Sequence, residues 1–386
     1  MRYNSIFLFI ISLFYVIPAS ADVDINEENF PDVNFRNYLL SLSCGNDGII
    51  TETEIAEIKY IGINSVKNLK GIEFFTALEQ LDCSDSQLTT VDLSKNTELK
   101  ELNCANNQLT SLDLSKNTAL VKLNCYNNKL TIFDVSENKV LKELNCGANL
   151  LVSIDLTKNS ALETLICHNC QLTSLDITKN YALIDLSCGG NQFNTIDITM
   201  NTGLISLDCS YCKLNTLDIS KNTAMEWLFC SNNELVTLDI SNNSKLIQLN
   251  CSNNKLTKLD VSENKYLEGI QFNQNQIKGN NMDALVESLP TVSNGSLYAI
   301  SNENEGNVMT IIQVNAAKEK GWTSYWWDGY WGYYSGSIPS SIRVLKDERP
   351  LNVKYFDLHG NNINTLHKGI NIIHKKDGTI NKVFIK

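Results

Sequence analysis

A 21-residue unit recurs in register nine times, with no insertion, from Thr76 through Asn264. Self-similarity at a fixed period of about 20 to 50 residues marks repeat architectures, whose single units cannot bury an apolar face without a neighbour. A stack is therefore the fold open to this chain. The copy TELKELNCANNQLTSLDLSKN, Thr97 to Asn117, displays the columns. Leucine, once Met225, fills 78, 99, 120, 141, 162, 183, 204, 225 and 246, and leucine again fills 81, 102, 123, 144, 165, 186, 207, 228 and 249. Cysteine stands at 83, 104, 125, 146, 167, 188, 209, 230 and 251.

Leu102 and Cys104 alternate with Glu101, Asn103 and Ala105. That period of two gives each copy one short strand with a buried and an exposed face. Leu112 and Leu114 alternate in the same way, so a second extended segment is expected per copy. Three residues past each cysteine lies a polar column: Ser86, Asn107, Asn128, Asn149, Cys170, Asn191, Cys212, Asn233 and Asn254. It is read as an internal ladder whose amides bond turn backbone that would otherwise be buried unpaired. A thiol, as a weak donor, can fill the same slot.

The pattern L-x-x-L-x-C-x-x-(N/C)-x-L is that of leucine-rich repeats. Over residues 76 to about 278 the chain resembles the internalin-like family of bacterial surface proteins. Its period is one residue shorter than the usual internalin repeat, and the cysteine column departs from that family's pattern. The resemblance implies a repeat solenoid, a leucine-rich-repeat stack of 21-residue coils with a parallel β-sheet, and a non-enzymatic binding surface. It leaves the ligand open, because family members bind unrelated partners.

Outside the repeats the chain divides into caps and signals. Arg2, the apolar run Ile6 to Ile17 and Ala19-Ser-Ala21 form a secretory signal over residues 1–21, cut before Asp22. Residues 22–75 read as a small helical N-terminal cap, with helices near Phe30 to Leu40 and Thr51 to Ile58. After the repeats (76–278), residues 279–336 read as an α/β C-terminal cap. Helices are expected there at Asn280 to Leu289 and Ile311 to Lys320, and strands at Ser296 to Ile300 and Trp322 to Trp327. Residues 337–386 read as a linker and a small β tail. That tail, with Val353 to Gly360, Gly369 to Ile373 and Asn381 to Lys386, resembles the C-terminal sorting domain of type IX secretion substrates, departing from it at Asn361 and Asn371. The resemblance implies a protein that is secreted or held at the bacterial surface, exposed on the outer membrane.

The net charge of −11 argues against nucleic acid or an anionic membrane as partner. It is uneven: residues 22–75 carry ten acids against four bases, residues 343–386 nine bases against four acids. No stretch after the signal has the length of a transmembrane span. Nine cysteines form the interior column, where cysteine acts as a small hydrophobe. Parallel Cβ vectors on adjacent strands disfavour bridging, so mostly free thiols are expected.

Three features bear on chemistry. Cys167-x-x-Cys170 and Cys209-x-x-Cys212 imitate a zinc site, but each pairs a core-column cysteine with a ladder cysteine. No metal and no cofactor is expected there. The aspartates at 92, 113, 134, 155, 176, 197, 218, 239 and 260 are each followed two places on by Ser or Thr, either bonding turn backbone or holding calcium. The loop Gly45 to Glu54 likewise reads as an EF-hand remnant or as the capping box Thr51-x-x-Glu54.

The exposed strand face is small and polar in most coils. It differs at Ile166, His168, Asp208, Tyr126 and above all Trp227 and Phe229. Exposed aromatics are typical anchors of protein interfaces, so these six are the expected contact residues for an extracellular or cell-surface protein. The alternative is a glycan held by the cap segment 325–334, through Trp326, Trp327, Tyr330 and Trp331, rings that can equally seal the open end of the core.

Overall fold

The structure, a computed structural model, describes residues 22–301, 305–327 and 331–337 and five short strands beyond residue 341. The signal segment lies outside the described residues. The chain is a leucine-rich-repeat solenoid. Its first elements are β1 (Val23–Asp24), α1 (Val33–Ser41), β2 (Ile49–Ile50), α2 (Glu52–Glu57) and β3 (Tyr60–Gly62). Ten strands of three residues follow at the 21-residue spacing: β4 (Gln80–Asp82), β5 (Glu101–Asn103), β6 (Lys122–Asn124), β7 (Glu143–Asn145), β8 (Thr164–Ile166), β9 (Asp185–Ser187), β10 (Ser206–Asp208), β11 (Trp227–Phe229), β12 (Gln248–Asn250) and β13 (Gly269–Gln271). Then come α3 (Asn280–Ser288), β14 (Gly295–Ser301), α4 (Ile311–Glu319), β15 (Trp322–Trp327) and β16 (Trp331–Tyr333). Among the described residues, β3 to β16 form one fourteen-stranded sheet in sequence order, parallel except for the β15–β16 pair.

Register follows from the leucine column. Leu102 pairs with Leu123, and Leu123 with Leu144, each central residue pointing inward between two that point out. A one-residue slip would turn every leucine to solvent, so the in-register stack is strongly specified. The leucine and cysteine columns are wholly buried, Cys104 and Leu120 at 0 % exposure. Every cysteine is free, and only Cys44, in the N-terminal cap, is not buried. Each strand ends because the chain swings into the left-handed region three residues past it, as at Asn106 (φ 57°), Asn127 (52°), Ala148 (52°), Gly190 (69°) and Tyr211 (58°). Asparagine and glycine enter that region at little cost, whereas alanine and tyrosine are strained there.

The second half of each coil differs from the expected extended segment. Leu112 and Leu114 do face the core, but no strand forms among these residues. The Ser115 amide goes to Asp113 Oδ1 at 2.9 Å instead of to the next coil, and Asn117 N closes a turn onto Leu114 O at 3.0 Å. Here a further asparagine column runs, Asn96 through Asn264, almost without exposure. Asn117 Nδ2 donates to Leu93 O at 3.0 Å and Asn96 O at 2.8 Å, tying its coil to the preceding one.

Both ends of the stack are closed. At the N-terminal end Phe30, Phe35 and Phe75 are fully buried, with the first two ring centroids 5.4 Å apart. Asp32 caps α1 and also accepts Lys67 N at 2.7 Å, joining helix to solenoid. At the other end Trp322 is buried, and its indole N–H donates to Pro290 O at 2.7 Å. Asn307 takes the ladder slot in the cap, accepting Ile277 N at 2.8 Å and donating to Phe272 O at 2.8 Å. The tail contributes β17 (Ile342–Val344), β18 (Val353–Phe356), β19 (Asn362–Ile363), β20 (Gly369–Lys375) and β21 (Ile380–Ile385), in sheet order β17-β21-β20-β18-β19.

Candidate binding face

Pairing in register sorts the outward side chains into straight rows. One row passes through Asn145, Ile166, Ser187, Asp208, Phe229, Asn250, Gln271, Tyr298 and Tyr325 to Tyr333. A parallel row carries Thr164, Asp185, Ser206, Trp227 and Gln248. Neighbouring strands lie about 4.8 Å apart, so Phe229 stands beside Asp208, and Trp227 beside Ser206. Trp227 is 37 % exposed, high for an indole on a sheet, and Phe229 is half-buried.

A third row lies just past the strands. Tyr126 and His168 in it are two coils apart but approach to 5.7 Å between ring centroids, across Gly147. Gly147 makes this possible: a Cβ there would sit 3.1 Å from His168 O and 3.4 Å from the imidazole. Asn169 Nδ2 lies 3.1 Å from His168 Nδ1. His168, Asp208 and Phe229 share a hollow of about 510 Å³ with Ser187, Gly189 and Tyr211. Of the six residues singled out in the sequence, three thus line one hollow, Tyr126 rests on one of these, and Trp227 stands on the same strand as Phe229. Ile166 is apart from that hollow, in another of about 440 Å³ that runs along β3 to β8.

Beneath the face lies the ladder. Asn128 Nδ2 donates to Cys104 O (3.0 Å) and Cys125 O (3.1 Å), and its Oδ1 accepts Leu109 N (3.0 Å). Asn107, Asn149, Asn233 and Asn254 repeat this arrangement, and Asn191 does so with Cys167 O, Cys188 O and Leu172 N. Cys170 and Cys212 supply only the donor half, Sγ to Cys146 O and to Cys188 O, each at 3.4 Å. Burial pushes the core thiols up, Cys104 and Cys251 to about 12. They are therefore poor nucleophiles and poor metal ligands, which need the thiolate.

The carboxylates of the aspartate column accept from the residue two places on, as at Asp92 (Ser94 N, 2.9 Å) and Asp155 (Thr157 Oγ1, 2.7 Å). The serine amide beside Asp92 and the threonine hydroxyl beside Asp155 hold both carboxyls below the ordinary value. Glu54 is occupied likewise, its Oε2 accepting Thr51 N at 2.9 Å and Thr51 Oγ1 at 2.7 Å in a capping box.

The cap aromatics do not form one platform. Trp326 lies over Gly332, where a Cβ would come within 2.7 Å of its Nε1. Trp327 is 40 % exposed. Tyr330 lies outside the described residues, and the backbone of Trp331 pairs with that of Trp327. Tyr298, which sequence reading passed over, and Tyr333, within the segment 325–334, instead sandwich Tyr325, with centroids at 5.0 and 5.5 Å. The signal was present: Gln271, Tyr298 and Tyr325 follow one another at 27 residues, a longer unit than the repeat.

No protein-family model matches the sequence, and no curated protein does. Among solved structures the chain is similar to the functional domain of InlJ from Listeria monocytogenes, described as including a cysteine ladder. Identity is 24 %, coverage 94 % of this chain and 98 % of that one, and TM-score 0.64. A cysteine column is therefore not foreign to internalin folds, which corrects the departure inferred from sequence. The internalin InlF of the same organism matches at 18 % identity, 81 % and 98 % coverage and TM-score 0.64. The leucine-rich repeats of FLRT2, in an octameric complex with latrophilin 3 and Unc5D, match at 18 % identity, 59 % and 78 % coverage and TM-score 0.50.

Proposed function

We propose that this is a non-enzymatic, exported binding or adhesion protein that holds an extracellular or cell-surface protein against the outward rows of its sheet. The observation that carries the reading is the Trp227–Phe229 pair, two aromatic rings presented outward from one strand of a stiff, in-register sheet. Aromatic anchors of this kind dominate interface energetics. The presence of FLRT2 repeats in an assembly with two other proteins supports it, as does the sorting-type tail for export. No described pairing of nucleophile and base favours an enzyme. The glycan alternative is less supported, because the indoles named for it do not line up as one platform and Tyr325 is covered on both faces by Tyr298 and Tyr333.

The test is to probe the full chain against arrays of extracellular proteins and of glycans beside Trp227→Ala/Phe229→Ala. A protein ligand lost by the folded double variant is the expected result. Glycan binding untouched by the two substitutions would overturn the reading and move the site to the cap.

A further inference from the structure

The hollow shared by His168, Asp208 and Phe229 has a chemistry more particular than that of an aromatic patch. Its floor is glycine: a Cβ at Gly189 would stand 2.9 Å from Ser210 O and 3.4 Å from Asp208 Oδ1, so any other residue would fill it. Apart from His168, its side chains are hydroxyls, amides, aromatic rings and one carboxylate; no lysine or arginine lines it. Asp208 Oδ1 takes Ser210 N at 3.0 Å, and among the described residues Asp208 makes no ion pair, in contrast to Glu143 farther along the face, which Lys122 engages at 2.9 Å. Asn169 Nδ2 lies beside the His168 ring, 3.1 Å from Nδ1.

We propose that this hollow receives an arginine side chain of the protein partner, its guanidinium paired with Asp208 and stacked on Phe229. The inference rests on the binding reading above and names what the partner must present there. Arginine fits better than lysine, because a planar fork matches a carboxylate in two places and lies flat on a ring. The volume, about 510 Å³, takes one long side chain and excludes a folded element. A second carboxylate lies on the same face: Asp185 stands two strands from Trp227, with Ser206 between them, and it too makes no ion pair among the described residues.

The chain has four histidines, so His168 can be followed by NMR in full-length protein carrying 13C at histidine Cε1, assigned with His168→Gln. The probes are acetyl-Gly-Arg-Gly-amide and its citrulline counterpart, which keeps the shape and loses the charge. A saturable shift of His168 with arginine and none with citrulline is expected, weakened about tenfold or more by Asp208→Asn. The proposal is overturned if His168 stays put up to ~20 mM peptide, where even a Kd of about 1 mM would saturate. It is equally overturned if citrulline acts as well as arginine, or if Asp208→Asn titrates as the parent does. Loss of the arginine effect alongside protein capture that still depends on Trp227 and Phe229 would remove this proposal and leave the binding face intact.

Discussion

Asn149 Nδ2 donates to the carbonyl of Cys125, one coil back, at 3.0 Å, while Asn149 Oδ1 accepts the Leu130 amide, also at 3.0 Å. One coil on, Cys170 reaches Cys146 O but has nothing to offer the buried Leu151 amide, and Cys212 leaves the Phe193 amide in the same position. A buried N–H without an acceptor is costly. Cys170→Asn and Cys212→Asn are therefore expected to stabilise the fold by about 1 kcal/mol each, the net value of one hydrogen bond. Thermal melts check the gain. Hydrogen exchange gives the local test: the Leu151 and Phe193 amides should exchange faster than that of Leu130 in the parent and slow in the variants.

Alanine at 148 holds a left-handed turn (φ 52°) that glycine occupies at 190 (φ 69°). Relief of the Cβ clash outweighs the entropy that glycine adds to the unfolded chain. Ala148→Gly should raise the melting temperature, with a gain of about 0.5–1 kcal/mol. The control is Gly190→Ala, which should lower it by more, because a Cβ there also meets Asn169 Oδ1 at 2.2 Å.

The core thiols give a dependence on pH whose sign is fixed. Their folded values lie above the ordinary thiol value, Cys104 and Cys251 at about 12, because burial penalises the thiolate. A group raised on folding contributes stability that is whole below its unfolded value, near 8.5, and is lost as the pH climbs through the folded one. The unfolding free energy from urea titrations should thus hold steady to pH 8 and fall from about pH 8.5 upward, by up to ~1.4 kcal/mol per pH unit for each buried thiol. Cys104→Ala should make that fall shallower, whatever it does to stability at neutrality.

The buried thiols should resist alkylation, the core column because burial raises them and Cys170 and Cys212 because neither is exposed. Iodoacetamide at pH 8 is expected to add a single label to the folded chain, at Cys44, and twelve once urea is present, counted by intact mass. Labelling of Cys170 or Cys212 in the folded protein would show that the ladder opens locally.

The aspartate column acts at the opposite end of the scale. Hydrogen bonds from Ser94 and Thr157 lower the carboxyls of Asp92 and Asp155. A carboxyl lowered on folding contributes above its unfolded value, about 3.9, and the contribution disappears as pH falls through the folded one. Asp155→Asn should accordingly narrow the gap in melting temperature between pH 5 and pH 2.5.

Much of this architecture was open to reading because a buried column repeats itself: Leu102 and Cys104 could not recur in every copy unless they faced one core. The second half of the coil was misread for a physical reason. Alternation at Leu112 and Leu114 reports which side chains face inward, whereas a strand also needs backbone partners, and Asp113 captures the amide of Ser115 that would have supplied one. Asn117 and its column went unassigned because an asparagine beside turn residues looks like any surface turn; its burial shows only in three dimensions. On the face, Trp227 and Phe229 stand out by parity alone. The hollow needed Gly189, whose value lies in what it omits, and no column signals that.

The asparagine side-chain bonds that join the repeat coils run between positions 19, 21 or 24 residues apart, as Leu109 to Asn128, Asn117 to Asn96 and Asn128 to Cys104 do. Excising or duplicating 21 residues therefore rejoins like with like and leaves every ladder closed, while a change of 20 or 22 severs them all at the junction. A gene built this way can lengthen or shorten its product by recombination between copies that share their columns. Each event moves Tyr126 nearer to or farther from Tyr333 by one rung, about 4.8 Å, so lineages can retune the span of the face without redesigning a single contact beneath it.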